Sequence, residues 1–510
     1  MSCSYCSRLT YLRLISFQAR TFCEKYGASI DAHMQTSCMA RVRSAQRVRR
    51  AVAIDFLFIL TEVMIMDRSN DLTKGKVHAK ILGFFFPMLL TNLLQQIYSV
   101  ADTVIVGKGL GDNALGAVGN LTSFSLLIIG FTMGMTNGFA VIIGQSYGGG
   151  RADAVRRSIA HSVRLSALLT ALLTVTGCLL LKPILHALQT DRLILDDSLR
   201  YGYIIFGGLA ATVAYNLCSG ILRLLGDSKT PFIAIMISSA VNIILDFILI
   251  FLIQAGVAGA AAATIASQGL SAYICYRKIR RSPISHRTRE DLGKDTEMNA
   301  LLLKNGIPMA CMNSVTAIGC MVVQGYVNGC GVAYTSAYSV CSKYLNLFML
   351  PSLTAGFAIS SFVSQNYGAK RPERIRQGVH VCLWIALISY LSLGAIMVFL
   401  SRPLAGLMLN EEETISLAVE YLKICGAALL LVNLLFIYRN CVQGMGYPFI
   451  PMLSGIAEMV LRIPAIIILL PRIGFRGTAY AEGIAWIGAL ALNLGAYIIY
   501  FRNFSRSHPG

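Results

Sequence analysis

Two carboxylates, Asp102 and Asp246, lie inside long apolar runs of this 510-residue chain. A carboxylate at mid-membrane depth costs about 2.5–3.5 kcal/mol on insertion scales, so it needs a partner or a wet cavity. Asn242 stands four residues before Asp246, which on a helix puts both on one face. The run holding Asp246 and the next run form a hairpin turning near Ala255, with Asp246 nine residues before the turn and Thr264 nine after it. The two are therefore level, roughly 13 Å below the outer surface at about 1.5 Å per residue. Tyr98, one turn before Asp102, is placed to face the same point. Two close carboxylates in a low dielectric cannot both stay ionised, so such a set holds a proton. The same oxygens suit Na⁺, and the residues leave H⁺ and Na⁺ both open.

A second polar group lies in the last two apolar runs. Glu458 and Arg462 are one helical turn apart, and Glu482 is level with Arg462 across the next hairpin. A neutralised buried ion pair is the plainer reading of this group, and a part in substrate binding or in coupling the two halves is the sharper one. No other pattern carries chemistry. Gly144-Gln-Ser146-Tyr-Gly148 fits G-x-S-x-G, but an apolar helix precedes it instead of a strand. Gly107, Gly109 and Gly111 make a glycine-rich turn without a dinucleotide fold around it, there is no P-loop, and His161, His186 and His380 are scattered. The expectation is that the chain is not an enzyme and carries no cofactor.

The elements that must position these residues follow from composition. Hydrophobic types make up 55% of the chain and charged types only 14%. A soluble domain carries about 25% charged residues, so a soluble enzyme, a nucleic-acid binder and a disordered scaffold are excluded. The 44 basic against 25 acidic residues, a net charge of +19, read as a topology signal and not as a nucleic-acid footprint. The fourteen cysteines do not make a disulfide framework; most (Cys178, Cys275, Cys320, Cys425 among them) sit in or beside apolar runs as small packing residues. Cys3 and Cys6 form a CxxC, but only Cys23 and Cys38 could complete a zinc site.

Apolar runs at 81–106, 114–142, 156–181, 196–222, 231–252 and 256–279 predict six spans, and runs at 301–327, 333–364, 378–400, 414–440, 450–471 and 476–501 predict six more. The halves repeat. Gln145, Tyr147 and Gly148 recur 220 positions on as Gln365, Tyr367 and Gly368, as do Gly226 and Pro231 at Gly446 and Pro451; Pro87 matches Pro308, and Gly256 and Gly259 match Gly474 and Gly477. Six spans per half is an even number, so the repeat is parallel and a substrate site between the halves is expected near the midplane. The positions matching Asp102 and Asp246 carry no carboxylate; a purely structural knot would more naturally repeat. Gly130, Gly134 and Gly138, four residues apart in the second run, predict close helix packing. The expected fold is an all-α polytopic membrane protein with twelve transmembrane helices in two six-helix lobes.

Basic residues concentrate in alternate loops: Arg151, Arg156 and Arg157; Arg223 and Lys229; Arg280, Arg281, Arg287, Arg289 and Lys294; Lys370, Arg371, Arg374 and Arg376. Both termini are therefore expected in the cytoplasm. The expected organisation is an N-terminal extension over 1–65, a cytoplasmic tail over 66–80, an N-lobe over 81–279, an inter-lobe loop over 280–299, a C-lobe over 300–501 and a tail over 502–510. The extension has no helical or strand period, and translation is expected to begin at Met66 or Met64.

The segment DLTKGKVHAKILGFFFPMLLTNLLQQIYSVADTVIVGKGLGDNALGAVG, the GQSYG segment and the NIILDFILIF stretch together resemble the MATE (multidrug and toxic compound extrusion) family of secondary transporters, over about residues 70–501. The resemblance is to the DinF-like prokaryotic branch. It implies an acidic pair at Asp102 and Asp246, an amide at Asn242, a hydroxyl at Thr264 and flanking tyrosines at Tyr98 and Tyr201. The NorM-like branch has a glutamate in span seven, and this chain has none there. The resemblance also implies antiport: organic cations or drugs leave the cytoplasm as H⁺ or Na⁺ enters, by alternating access, in a monomer of the prokaryotic inner membrane whose partners are small-molecule substrates and the lipid bilayer. A flippase or exporter of lipid-linked or metabolite cargo is the alternative; a flippase cavity should be rich in Arg and Lys, and these spans offer mainly Arg462.

Overall fold

The computed structural model describes residues 71–187, 190–282, 293 and 295–508. The 1–65 extension with its CxxC, the first residues of the 66–80 tail, and Arg287, Arg289 and Lys294 of the inter-lobe loop lie outside the described residues. A segment that crosses hydrocarbon must satisfy its own backbone polar groups, and in apolar runs of this length only a helix does so. The described residues accordingly fold as helices without strands.

The first lobe comprises α1 (Val77–Leu110), α2 (Asp112–Gly148), α3 (Ala152–Ala187), α4 (Arg192–Gly207), α5 (Leu209–Leu224), α6 (Lys229–Asp246), a π-helical turn (Phe247–Leu252) and α7 (Gly256–Arg280). The second comprises α8 (Thr296–Asn328), α9 (Val332–Gly368), α10 (Pro372–Ser389), a second π turn (Tyr390–Gly394), α11 (Ala395–Phe399), α12 (Ser401–Gly406), α13 (Glu412–Gly444), α14 (Phe449–Ile473) and α15 (Arg476–Ser507). Among the described residues, eleven stretches are long and apolar enough to cross a membrane, and the α4–α5 pair makes a twelfth.

That fourth span departs from the expected continuous helix. It bends by 43° between Gly207 and Gly208. A Cβ at Gly208 would lie 2.5 Å from the Ile265 side chain, so α7 packs directly on the bend. Thr174 donates a hydrogen bond to the Phe206 carbonyl there, at 3.1 Å.

The repeat seen in the sequence is also a repeat of backbone shape. Left-handed residues fall at matching places: Gly111 and Gly331, Gly150 and Lys370, Gly226 and Gly446, Gly256 and Gly474. The two π turns are not matched across the halves. One follows Asp246; the other interrupts the ninth span.

Both lobes exchange their first helices at the face where the chain ends emerge, the terminal face. Ile81, Phe84, Phe85 and Met88 of α1 pack with Ile359, Phe362 and Val379 of the second lobe. Leu302 and Ala310 of α8 pack with Met135, Phe139 and Ile142 of the first. The α2 glycines make the latter contact possible. A Cβ at Gly134 would come within 2.5 Å of the Met309 carbonyl oxygen, and one at Gly138 within 2.6 Å of that of Asn305. Gly130 is looser, and its carbonyl accepts a 3.0 Å bond from Asn313.

Glutamines close the terminal face reciprocally. Gln145 of the first lobe donates to the Gly444 carbonyl of the second at 3.0 Å, and Gln365 of the second donates to the Leu224 carbonyl of the first at 2.8 Å. Gly148 and Gly368 pack against the backbones of Gln365 and Gln145, with no room for a side chain. Residues 71–75 then form a strap under the second lobe. Leu72 N–H donates to Gln365 Oε1 (2.9 Å), Arg371 donates to the Thr73 carbonyl (2.8 Å), and Arg374 donates to the carbonyls of Leu72 (3.1 Å) and Gly75 (2.8 Å).

Candidate functional site

Four elements of the first lobe bring one set of polar side chains together. Asp246 is the last α-helical residue of α6, immediately before the π turn, and Asn242 lies one turn earlier; both are fully buried. In the π turn that follows, Phe247 and Phe251 are exposed, while Asp246 is buried. From α1, Asp102 faces Asp246, and Tyr98 lies one turn before it and reaches Thr264 of α7. From α4, Tyr201 stands within electrostatic range of Asp102, Asp246 and Tyr98. The structure thus gathers Tyr98, Asp102, Tyr201, Asn242, Asp246 and Thr264 around one point.

The hydrogen bonding there is incomplete. Thr264 donates to the Ala260 carbonyl at 3.0 Å, but Asp102 Oδ1, both oxygens of Asp246 and both amide atoms of Asn242 are buried without a hydrogen-bond partner. Buried polar atoms are nearly always satisfied, and each orphan costs about 1–3 kcal/mol. Five such atoms fall on three neighbouring residues. The donor set is oxygen-rich and acidic, which fits protons or a hard monovalent cation.

The second lobe holds the opposite arrangement. Glu458 accepts from Arg462 one turn on in α14 and from Arg439 of α13, each at 2.7 Å, and Arg462 also reaches Glu482 of α15 at 3.0 Å. Arg462 Nη1 makes a further contact with Cys320 Sγ at 3.6 Å. All four charged groups are buried, and two arginines balance two glutamates. Glu458, Arg462 and Glu482 meet as their spacing predicts. Arg439 does not stand out in the sequence: it sits at the end of an apolar run, where a basic residue reads as a loop charge. Its run continues as helix to Gly444, which turns Arg439 inward.

The MatE family model matches the chain twice, over residues 87–248 and 308–468. The chain belongs to the MatE family. That is a family of membrane transporters and not of enzymes, and the double match coincides with the two lobes. Among similar MatE-type proteins of Bacillus subtilis (strain 168), "Probable multidrug resistance protein YoeA" is 29% identical over 364 residues, covering 69% of this chain and 78% of that protein. "Probable multidrug resistance protein YpnP" is 28% identical over 429 residues, covering 82% and 94%. The crystal structure of a MATE in the straight conformation superposes with a TM-score of 0.80 at 21% identity, covering 86% of this chain and all of that one. At that identity the likeness is one of fold.

Proposed function

We propose that this MatE protein is a secondary multidrug exporter that moves organic cations out of the cytoplasm in exchange for inward H⁺ or Na⁺. The observation that carries the reading is the contrast between the lobes: Asp102 and Asp246 facing each other with no ion-pair partner from the described residues in the first, and a neutralised ionic group in the second. Only the first has a place for an exchangeable cation. The names of YoeA and YpnP support drugs as cargo.

The terminal face carries Arg151, Arg156, Arg157, Arg371, Arg374 and Arg376, so the positive-inside rule makes it cytoplasmic in the inner membrane of a prokaryote. The reciprocal glutamines then hold the cytoplasmic side shut, as an outward-open state requires. An ion entering from outside satisfies the Asp102–Asp246 pair and Asn242, draws α1, α6 and α7 together, and changes how α1 packs on the second lobe. Substrate leaves outward as the site fills, and ion release to the cytoplasm resets the cycle. One charge moving through about 100 mV gains about 2.3 kcal/mol, roughly fifty-fold in concentration. The protein acts as a monomer.

Dye transport in proteoliposomes tests this. A cationic dye should accumulate under an imposed pH gradient or a Na⁺ gradient, whichever ion couples. Failure under both would move the cargo assignment to lipid-linked or metabolite substrates.

A further inference from the structure

The two polar groups lie on corresponding helices of the two lobes. At the 220-residue spacing, Tyr201 corresponds to Tyr421, Ser219 to Arg439, Ser238 to Glu458 and Asn242 to Arg462. At the 218-residue spacing that relates Gly256 to Gly474, Thr264 corresponds to Glu482. The four charged residues of the second lobe thus stand where the first has neutral polar side chains. The reverse also holds. Asp246 corresponds to Ile466 and, counting from Pro87 and Pro308, Asp102 corresponds to Val323; both are fully buried in one apolar cluster. Tyr98 corresponds to Gly319, and a Cβ there would lie 3.9 Å from Arg462 Nη1. The guanidinium therefore reaches toward space that a tyrosine ring fills in the first lobe.

Each lobe thus has two carboxylates on corresponding helices, displaced along them: Glu458 corresponds to Ser238, eight residues or about 12 Å from Asp246. In the first they have no cation from the protein; in the second Arg462 lies between them, 2.7 Å from Glu458 and 3.0 Å from Glu482. We propose that the second lobe contains a monovalent-cation site of its own, and that the Arg462 guanidinium is its permanent, covalently attached occupant. Arg439 supplies the second positive charge, so the filled site is neutral and exchanges nothing. Coupling is thereby confined to one lobe. Removing Arg462 leaves Arg439 against Glu458 and Glu482, one negative charge in excess, in a cavity shaped for guanidinium. The proposal is independent of the ion-coupling role given to Asp102 and Asp246, because its readout is cation binding to the second lobe.

The test uses full-length purified protein and Arg462→Ala. Thermal unfolding is followed at constant ionic strength while guanidinium chloride, at millimolar levels far below denaturing concentrations, replaces choline chloride. Arg462→Ala should unfold several degrees below wild type in choline and recover saturably in guanidinium, with wild type unchanged. Arg462→Ala/Glu482→Gln, which removes the charge excess, should show no such recovery. If Arg462→Ala folds too poorly to purify in choline, extraction in guanidinium should restore its yield. Equal unfolding temperatures in the two salts, equal yields, or full recovery in the double variant would each overturn the proposal.

Discussion

Asp246 and Glu458 are both buried carboxylates in membrane-spanning helices, yet their surroundings call for opposite responses to neutralisation. Asp246 faces the Asp102 carboxyl with no cation from the described residues beside it, so Asp246→Asn removes a costly charge and should leave thermal stability equal or higher while abolishing gradient-driven transport. Glu458 accepts from two buried arginines, so Glu458→Gln strands positive charge and should destabilise by about 3–5 kcal/mol, read as a lowered unfolding temperature in detergent. A result in which both variants lose stability alike would remove the distinction between an exchangeable and a filled site. At this scale the sequence was informative where depth could be counted. The spacing of Asp246 and Thr264 about one hairpin, and the one-turn spacings of Tyr98 from Asp102 and Glu458 from Arg462, are enough to group them. Tyr201 is legible only through the family resemblance, because a tyrosine in an apolar run reads equally well as a packing residue. Arg439 was hidden at the end of an apolar run, where burial depends on a neighbouring helix.

Among the elements, helices were legible because each must satisfy its own backbone in hydrocarbon, and length alone reports that. The bend at Gly207–Gly208 and the π turn after Asp246 were not, since both answer to packing against α7 and α1 that no local pattern records. The strap before α1 is likewise a tertiary feature, held by carbonyls that carry no sequence signature. Arg374 donates to two of them, so Arg374→Ala should loosen residues 71–75 without unfolding the helices. Thr73→Cys, buried at 7% exposure in the intact strap, should then react with a water-soluble maleimide about ten-fold faster. An unchanged labelling rate would mean that Arg371 and Gln365 suffice. Asp71 adds a pH dependence. Partial burial pushes its carboxyl up, but hydrogen bonds from Thr73 and the charge of Lys74 outweigh this and leave it below the usual range. A lowered value in the folded state means that its contribution is present at neutral pH and lost as pH falls through that range. Amide hydrogen exchange over residues 71–75, corrected for its intrinsic pH dependence, should therefore speed up on acidification, and Asp71→Asn should abolish that dependence.

For the whole molecule, the two-fold relation between lobes decides what moves. Gln145 and Gln365 make the same bond in opposite directions, so either alone should hold the lobes partly closed. Gln145→Ala/Gln365→Ala should shift the population toward a state open at the terminal face, and each single variant should shift it less. Spin-label distances across that face, from a label near Gly149 to one near Ala369, should lengthen in the double variant; an unchanged distribution would place the closing energy in the apolar seam of α1 and α8. The lobes share a backbone plan but differ in chemistry, with carboxylates that have no protein cation beside them in one and a closed ion network in the other.

The most direct test of that division is coupled ion entry in sealed proteoliposomes. Internal pH and internal Na⁺ are recorded as a cationic dye is supplied on the side from which the protein takes it. Wild type should show dye-dependent entry of one of the two ions, Asp102→Asn/Asp246→Asn should show none, and a Glu482→Gln variant that remains folded should retain it. Dye-dependent ion entry that survives loss of both aspartates would contradict the assignment of coupling to the first lobe.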